Sequence, residues 1–337
     1  RGAGTEDKPF GFYDATVDGG WTVPGEPYTS AEGTDFRWWR ARMLGGRTNH
    51  WGRISLRMGP YDFAPRSRDG LGFDWPIGYE DVAPYYDRTE ALIGVYGSNE
   101  GLENTPDSST GILLPPPAPR AHELLAQKVC GEELDIPVVP AHLAILSTPQ
   151  DHEWLPRYLH PDNPLGQRVT RDSMRARAAC YWATPCGRGC SIRANFQSPT
   201  VLIPPALATG NLEIRTDAMV REVTVDARGR ATGVHYIDRK ARLEEHAAAR
   251  VVVLAASACE SARILLNSTS PLFPDGLANG SGLVGKYLMD TVGASVSGQI
   301  PALEGMPPHN QDGSSGLHLY MPWWLYRDQG RGRLDFA

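Results

Sequence analysis

The chain predicts an α/β fold, α+β overall, from three stretches of its second half. Residues 212–216, 219–226 and 232–238 are rich in β-branched and apolar side chains and read as a meander, the last two joined by a turn at Ala227-Arg228-Gly229-Arg230. Residues 250–256, Arg250-Val251-Val252-Val253-Leu254-Ala255-Ala256, form the continuous apolar run of a strand covered on both faces. That run leads directly into a helical pattern over 257–267, opened by a capping box, Ser257-Ala258-Cys259-Glu260. Backbone N–H groups at a strand's carboxyl end are where α/β folds hold cofactor phosphates. An ordinary strand–helix unit without a ligand carries the same signature.

The elements before the meander follow in order. Residues 1–36 are rich in Gly, Pro and Thr with scattered aromatics and no helical period, and read as an irregular approach to the block at 41–52. Asp74-Trp75-Pro76-Ile77-Gly78 is a turn. Residues 81–93 then predict a helix with an early Pro84, with Tyr85, Tyr86, Leu92 and Ile93 on one face and Gly94 as terminator. The Pro-rich stretch 113–119 predicts an extended connection, and 121–129 resume a helical pattern.

Composition narrows the function classes. A chain of 337 residues buries a large core and accommodates about two domains. With 33 basic against 39 acidic residues the net charge is -6, and no basic stripe with interleaved aromatics occurs, which disfavours nucleic acid as a partner. No apolar run approaches membrane-spanning length. The 36 Gly and 28 Pro residues fit turns in a loop-rich fold. The sequence begins at Arg1 with no visible leader, so it gives no direct sign of compartment.

The block Ala41-Arg42-Met43-Leu44-Gly45-Gly46-Arg47-Thr48-Asn49-His50-Trp51-Gly52 carries the chemistry. Paired glycines remove the Cβ barrier and let backbone approach a flat, phosphate-bearing ligand. Around them the residues grade from a guanidinium through small polar groups to an imidazole and an indole, which suits a ligand with a phosphate end and an aromatic end. A tight loop between packed elements is the plain alternative.

A second constellation is Cys180, Cys186 and Cys190, spaced C-x5-C-x3-C around Pro185, Gly187 and Gly189. A looping backbone of this kind lets sulfurs converge. A structural zinc needs a fourth ligand, and His160 and His235 are distant in sequence. A disulfide uses two cysteines and strands the third. An iron–sulfur cubane lacking one iron needs only three thiolates. Arg168, Arg171, Arg175, Arg177 and Arg188 would favour thiolate charge or form a solvated basic face. Cys130 and Cys259, in apolar helical context, read as core residues. His142, His152 and His309 have no pattern that singles them out. Trp38, Trp39, Trp154, Trp182, Trp323 and Trp324 offer stacking surfaces for a sugar, with packing as the ordinary role.

On Ala41, Arg42, Leu44, Gly45, Gly46 and Thr48 the block resembles the glucose-methanol-choline (GMC) family of flavin oxidoreductases. Arg47 departs from the usual small residue, and Asn49-His50-Trp51 is similar to the sugar-oxidising branches, in some of which the His carries the flavin covalently. Two further stretches resemble the family in order. One is the meander, return strand and helix around Ser261-Ala262-Arg263-Ile264-Leu265-Leu266; the other is Ser281-Gly282-Leu283-Val284-Gly285-Lys286-Tyr287-Leu288-Met289-Asp290, followed by Thr291 where a His is common. The resemblance covers roughly residues 37–300.

It implies a Rossmann-like FAD-binding domain with a meander, plus a substrate domain, incomplete in this chain. Residues 1–60 and 199–292 would belong to the FAD domain, 61–198 to a cap and cysteine-loop region, and 293–337 to the start of a substrate-domain sheet. The implied FAD-contacting positions are Arg42, Gly45, Gly46, Thr48, Asn49, His50, Trp51, Gly52, Val220, Ala255 and Ala256, with the backbone of Val220 at the adenine. The cysteine spacing is similar to that of cytochrome-linked sugar dehydrogenases of the family, which implies a [3Fe-4S] cluster on Cys180, Cys186 and Cys190, although Ser191 stands where Pro often follows. No G-x-G-x-x-G unit precedes residue 36, and the family's catalytic His would lie beyond Ala337, so no catalytic residue is assigned. The implied activity is oxidation of a sugar, glycoside or sugar-acid hydroxyl. Electrons would pass through the cluster to a haem or quinone, with a cytochrome c or small accessory subunit as partner and a periplasmic location. An oxygen-using alcohol or pyranose oxidase, and a non-catalytic binding fragment, remain the alternatives.

Overall fold

The computed structural model describes residues 29, 32–33, 43–181, 186, 190–289, 296–306 and 319–322. Their elements in chain order are α1 (Pro60–Phe63), α2 (Pro65–Asp69), α3 (Tyr79–Ile93), α4 (Ala121–Leu134), β1 (Val139–Pro140), α5 (Leu155–Leu159), α6 (Pro164–Arg175), α7 (Ser198–Val201), α8 (Ile203–Ala208), β2 (Ala218–Val225), β3 (Ala231–Asp238), β4 (Leu243–Ala248), α9 (Ser257–Asn267) and β5 (Leu319–Tyr320). Two compact units divide the chain: Arg1–Leu212 with Ile300–Ala337, and Glu213–Gln299. The irregular approach expected over 1–36 lies outside the described residues apart from Thr29, Glu32 and Gly33.

In the first unit α3 begins at Tyr79, where Asp81 accepts the Gly78 N–H at 2.8 Å, and it ends on Gly94 at φ 76°. Its buried residues are Glu90, Ala91 and Ile93, while Tyr85 is turned out to solvent. The face expected from the sequence holds at Leu92 and Ile93, which pack in core clusters, and is corrected at Tyr85. The cause is Arg57, buried beneath the helix, whose Nε donates to Glu90 Oε1 at 2.9 Å and whose Nη2 donates to Glu90 Oε2 at 2.6 Å. Arg57 also pairs with Asp87, and the Ser108 hydroxyl donates to Glu90 at 2.8 Å. A buried ion pair of this kind needs every polar atom engaged, and that requirement sets the rotation of the helix.

The centre of the unit is an extended stretch at 141–146 that binds three distant segments. Tyr96 and Leu143 exchange backbone hydrogen bonds at 2.9 and 3.0 Å, the Ala144 N–H donates to Arg53 O at 2.8 Å, and Phe196 N–H donates to Ala144 O at 2.9 Å. Leu143, Ala144, Ile145 and Leu146 are buried, and each large apolar side chain contributes roughly 1.5–3 kcal/mol of transfer free energy. At the far end of the chain β5 pairs antiparallel with β1.

The second unit is a three-stranded antiparallel sheet in the order β2-β3-β4 with α9 packed on β2. The turn between β2 and β3 falls where the sequence places it, with the Asp226 carboxylate accepting from the N–H groups of Arg228 and Arg230, both at 2.9 Å. Two expected strands are corrected. Residues 212–216 form no strand, and the third strand is β4, whose charged sequence disguises it. Cross-strand pairs hold it instead: Arg221 and His235 both reach Glu244, at 2.8 and 3.0 Å.

Residues 250–256 also form no strand, and Val251 and Val253 are 76% and 80% exposed. A run built for burial on both faces needs neighbouring strands, and none pairs with it among the described residues. Helix α9 keeps the expected bounds, but its N-cap is Ala256 without a side-chain cap bond, and Glu260 pairs with Arg263 at 2.6 Å. The expected capping box is therefore corrected. Ser257 has φ 73°, outside the conformation that a Ser at the head of such a box adopts.

Candidate functional site

The two glycines of the block serve different ends. Gly45, at φ 89°, lies so close to α7 that an added Cβ would stand 2.3 Å from Pro199 Cγ. Gly46, at φ 50°, would place a Cβ within 4 Å of nothing among the described residues. The first glycine seats the loop; at the second, the described residues leave room for a ligand to approach. From Gly46 to Asn49 the chain makes a single 3-10 turn, closed by Thr48 N–H to Gly45 O at 3.1 Å and His50 N–H to Arg47 O at 3.1 Å.

The side chains of Thr48 and Asn49 close this loop. The Thr48 hydroxyl donates to Gly45 O and accepts from the Ser198 N–H at 3.1 Å, and the Asn49 amide donates to Leu44 O at 2.9 Å. Trp51 stands edge-on to Phe196 with ring centroids 6.2 Å apart and joins the cluster of Ile93, Val95 and Val201. The segment 196–199, just past the cysteines, is thus the platform of the Gly-Gly loop. Nothing in its own sequence announces that.

Arg53 is the other residue missed by sequence reasoning. Its side chain is fully buried, its backbone is left-handed at φ 62°, and its guanidinium donates to the carbonyls of Trp51, Asn49 and Thr48. Burial pushes its pKa down to about 10, against the pull of the Cys186 and Cys190 thiols, so it stays charged at neutral pH. His50 is buried as well. Burial first, then the charges of Arg47 and Arg53, hold its imidazole below the usual histidine range and hence neutral at pH 7.

The cysteine loop is closed at its base by Ala178 N–H to Ile192 O at 3.1 Å. Arg177, also buried, donates to Arg193 O, Ala194 O, Ile93 O and Gln150 Oε1 at 2.8–3.1 Å and so staples both flanks to α3. Cys180 N–H donates to Leu146 O at 2.8 Å, the Asn195 amide donates to Cys186 O at 3.0 Å, and no disulfide forms among the five cysteines. Cys180 and Cys186 pack on the core around Tyr96 and Leu143. Among the described residues no group of three or more His, Cys, Asp or Glu side chains is placed to hold a metal ion. Residues 182–185 and 187–189, with Arg188, lie outside the described ones.

Of the other expected positions, Arg42, Trp38, Trp39, Trp182, His309, Trp323 and Trp324 lie outside the described residues. Val220, Ala255 and Ala256 belong to the second unit, where Val220 O accepts from Arg263 at 2.8 Å beside a bulge in β2. Trp154 stacks edge-on against His152 and Tyr158, and the buried His142 and His152 bond to backbone carbonyls of Ser98 and Gly111. Of the expected arginines, Arg171 and Arg175 pair with Glu153. A cavity of about 440 Å³ opens in the first unit between α6 and α8, lined by Leu159, Val169, Met174, Leu202 and Pro205 among others, with no residue of the Gly-Gly loop in its wall.

The loop thus brings together two glycines, a buried imidazole and an indole braced on Phe196. Comparison with known proteins adds a family match. Residues 156–290, which take in the cysteine loop and most of the second unit, match the GMC oxidoreductase family model. The chain is 32% identical to paromamine 6'-oxidase of Streptomyces fradiae over 84% of this chain and 45% of that protein. It is 31% identical to 2-methyl-1,2-propanediol dehydrogenase of Mycolicibacterium austroafricanum, over 86% and 47%. With the fructose dehydrogenase large subunit of Gluconobacter japonicus it shares 26% identity, over 76% and 42%. The chain therefore carries a GMC oxidoreductase region at residues 156–290, and it spans less than half the length of these curated relatives.

Proposed function

We propose that the protein carrying this chain is an FAD-dependent oxidoreductase that oxidises a hydroxyl-bearing carbon of a sugar, glycoside or sugar acid. The match of residues 156–290 to the GMC oxidoreductase model carries the reading, and the relatives' names, which include a diol and a sugar, support a polyhydroxylated substrate. The Gly-Gly loop fits a flat cofactor, since none of the described residues fills the space where a side chain at Gly46 would stand. When bound, FAD supplies a two-electron acceptor for hydride from the carbinol carbon.

This chain's residues position and shield. Gly45 and Gly46 allow close backbone approach, the Trp51–Phe196 pair keeps water from the loop's underside, and the neutral His50 imidazole offers a lone pair rather than a second positive charge. That neutrality also suits covalent attachment of flavin at His50, which colour retained by the acid-precipitated polypeptide would support and complete release would refute. No residue of this chain is assigned as the base that removes the hydroxyl proton.

The electron acceptor is the second part of the proposal. The spacing of Cys180, Cys186 and Cys190 supports a cluster and a haem or quinone acceptor, but the described residues do not gather the three sulfurs into a metal site. No step is therefore routed through them. Iron and acid-labile sulfide in anaerobically purified intact protein decide that point, and absence of both removes the cluster. The activity itself is tested by screening monosaccharides, glycosides and sugar acids with a dye acceptor. Peroxide formed as fast as dye is reduced would favour the oxidase named among the relatives. No turnover of any hydroxyl substrate by flavin-loaded protein would refute the proposal.

A further inference from the structure

Arg53 carries two costs that a loop residue does not need. A left-handed backbone costs a non-glycine residue roughly 1–2 kcal/mol, and Arg53 adopts it at φ 62°. A guanidinium withdrawn from water also loses its hydration, which several kcal/mol of new interactions must replace. Here the side chain is fully buried, no carboxylate pairs with it among the described residues, and its Nε has no partner among them. Strain of this sort persists where the surroundings over-determine it, and it concentrates at functional sites.

What the side chain does hold is specific. Nη1 donates to Trp51 O, while Nη2 donates to Asn49 O at 3.1 Å and Thr48 O at 3.4 Å. Those three carbonyls flank His50 on both sides. The backbone of Arg53 is itself fixed, its carbonyl accepting from Ala144 N–H at 2.8 Å in the buried centre of the unit. One planar fork therefore ties the His50-Trp51 turn to the core, and it leaves a positive charge behind the loop with no described carboxylate to neutralise it.

Resting on the flavin reading above, we propose that Arg53 is a positioning residue of the flavin site: its fork fixes the carbonyls around His50 and Trp51, and its buried charge favours the electron-rich, reduced form of a flavin held on the loop. Lysine keeps the charge but cannot reproduce the planar fork, whereas glutamine keeps donors and loses the charge. The two roles separate on that basis.

The test uses intact flavin-loaded protein, with Arg53→Lys and Arg53→Gln compared with wild type. Both are measured for flavin content, visible flavin spectrum, flavin midpoint potential, urea unfolding, and kcat and KM for a substrate found by the screen. The expected result is a flavin band altered in shape in both variants, a midpoint potential shifted negative in Arg53→Gln and much less in Arg53→Lys, and kcat lowered at least tenfold in Arg53→Gln with KM nearly unchanged. If Arg53→Gln does not fold, a wild-type spectrum and kcat in folded Arg53→Lys refute the fork's role. Variants that are less stable but keep the wild-type spectrum, potential and kcat make Arg53 a structural residue and overturn the proposal alone. Folded wild-type protein that binds no flavin overturns the flavin reading, and the proposal with it.

Discussion

The two glycines of the loop make opposite predictions under the same substitution. Gly45→Ala places a methyl group 2.3 Å from Pro199 Cγ and 2.5 Å from Pro199 Cδ, at a residue whose φ is 89°. The left-handed backbone costs alanine roughly 1–2 kcal/mol. Forcing an extra carbon into packed surroundings adds about 1–3 kcal/mol, since a proline ring at the head of a helix has little room to yield. The sum is about 2–5 kcal/mol, and for a unit of this size it lowers Tm by on the order of 10 °C. Gly46→Ala meets nothing within 4 Å among the described residues, so only the backbone term of roughly 1–2 kcal/mol remains.

Ligand binding reverses the order. The methyl group of Gly46→Ala points into space that none of the described residues fills, so this variant is expected to lose bound flavin while staying folded. Gly45→Ala is expected to lose stability first, and flavin only as a consequence. Thermal unfolding of the apoprotein and flavin absorbance per polypeptide of the loaded protein separate the two effects. Equal drops in Tm, or a Gly46→Ala protein loaded to the wild-type level, would refute the division of labour.

Three further outcomes follow from buried polar groups. Glu90→Gln leaves the Arg57 guanidinium buried with only Asp87 as a charged partner among the described residues, and is expected to cost about 3 kcal/mol in urea unfolding; a loss below about 1 kcal/mol would contradict the central place given to this pair. Burial raises the Asp87 pKa, but hydrogen bonds from Ser109 and Arg57 outweigh it and hold the carboxyl below 3.8. Its contribution is therefore complete above 3.8 and is lost as pH falls through the lower folded value, so Asp87→Asn should flatten the acid limb of a stability–pH curve. Ser268→Ala removes the hydroxyl that accepts the Val223 N–H at 2.8 Å and donates to Ile264 O at 2.6 Å, leaving a buried N–H in β2 unpaired. A loss of about 1–3 kcal/mol is expected, and amide exchange at Val223 faster than at its strand neighbours would locate it.

The fold was legible where local chemistry decides it. Helix α9 has the bounds read from its periodicity, α3 ends on the predicted Gly94, and β2 and β3 flank a turn written in Asp226 and Gly229. Legibility failed where partners decide. Residues 250–256 carry the composition of an interior strand, but a strand is defined by its neighbours, and none of the described residues pairs with this one. The reverse holds for β4: its glutamates and histidine look like a surface loop, and they form a strand because β2 and β3 present Arg221 and His235 opposite them.

The site divides along the same line. The turn at Gly45 and Gly46 could be read from residue type, because a left-handed backbone and the close approach to Pro199 depend on what glycine lacks. Arg53 and the 196–199 platform could not, since they depend on contacts between segments distant in the chain, such as Thr48 with Ser198 and Arg53 with Ala144. Family motifs record the residues that touch a cofactor, whereas the groups that hold those residues still vary with the packing behind them. In this chain that support includes a fully buried guanidinium in a left-handed backbone, a combination that residue type alone gives no reason to expect. Substitutions at Arg53 should therefore alter the loop's chemistry without touching any residue of the motif, which is why it is a sharper test of the site than another change within the Gly-Gly block.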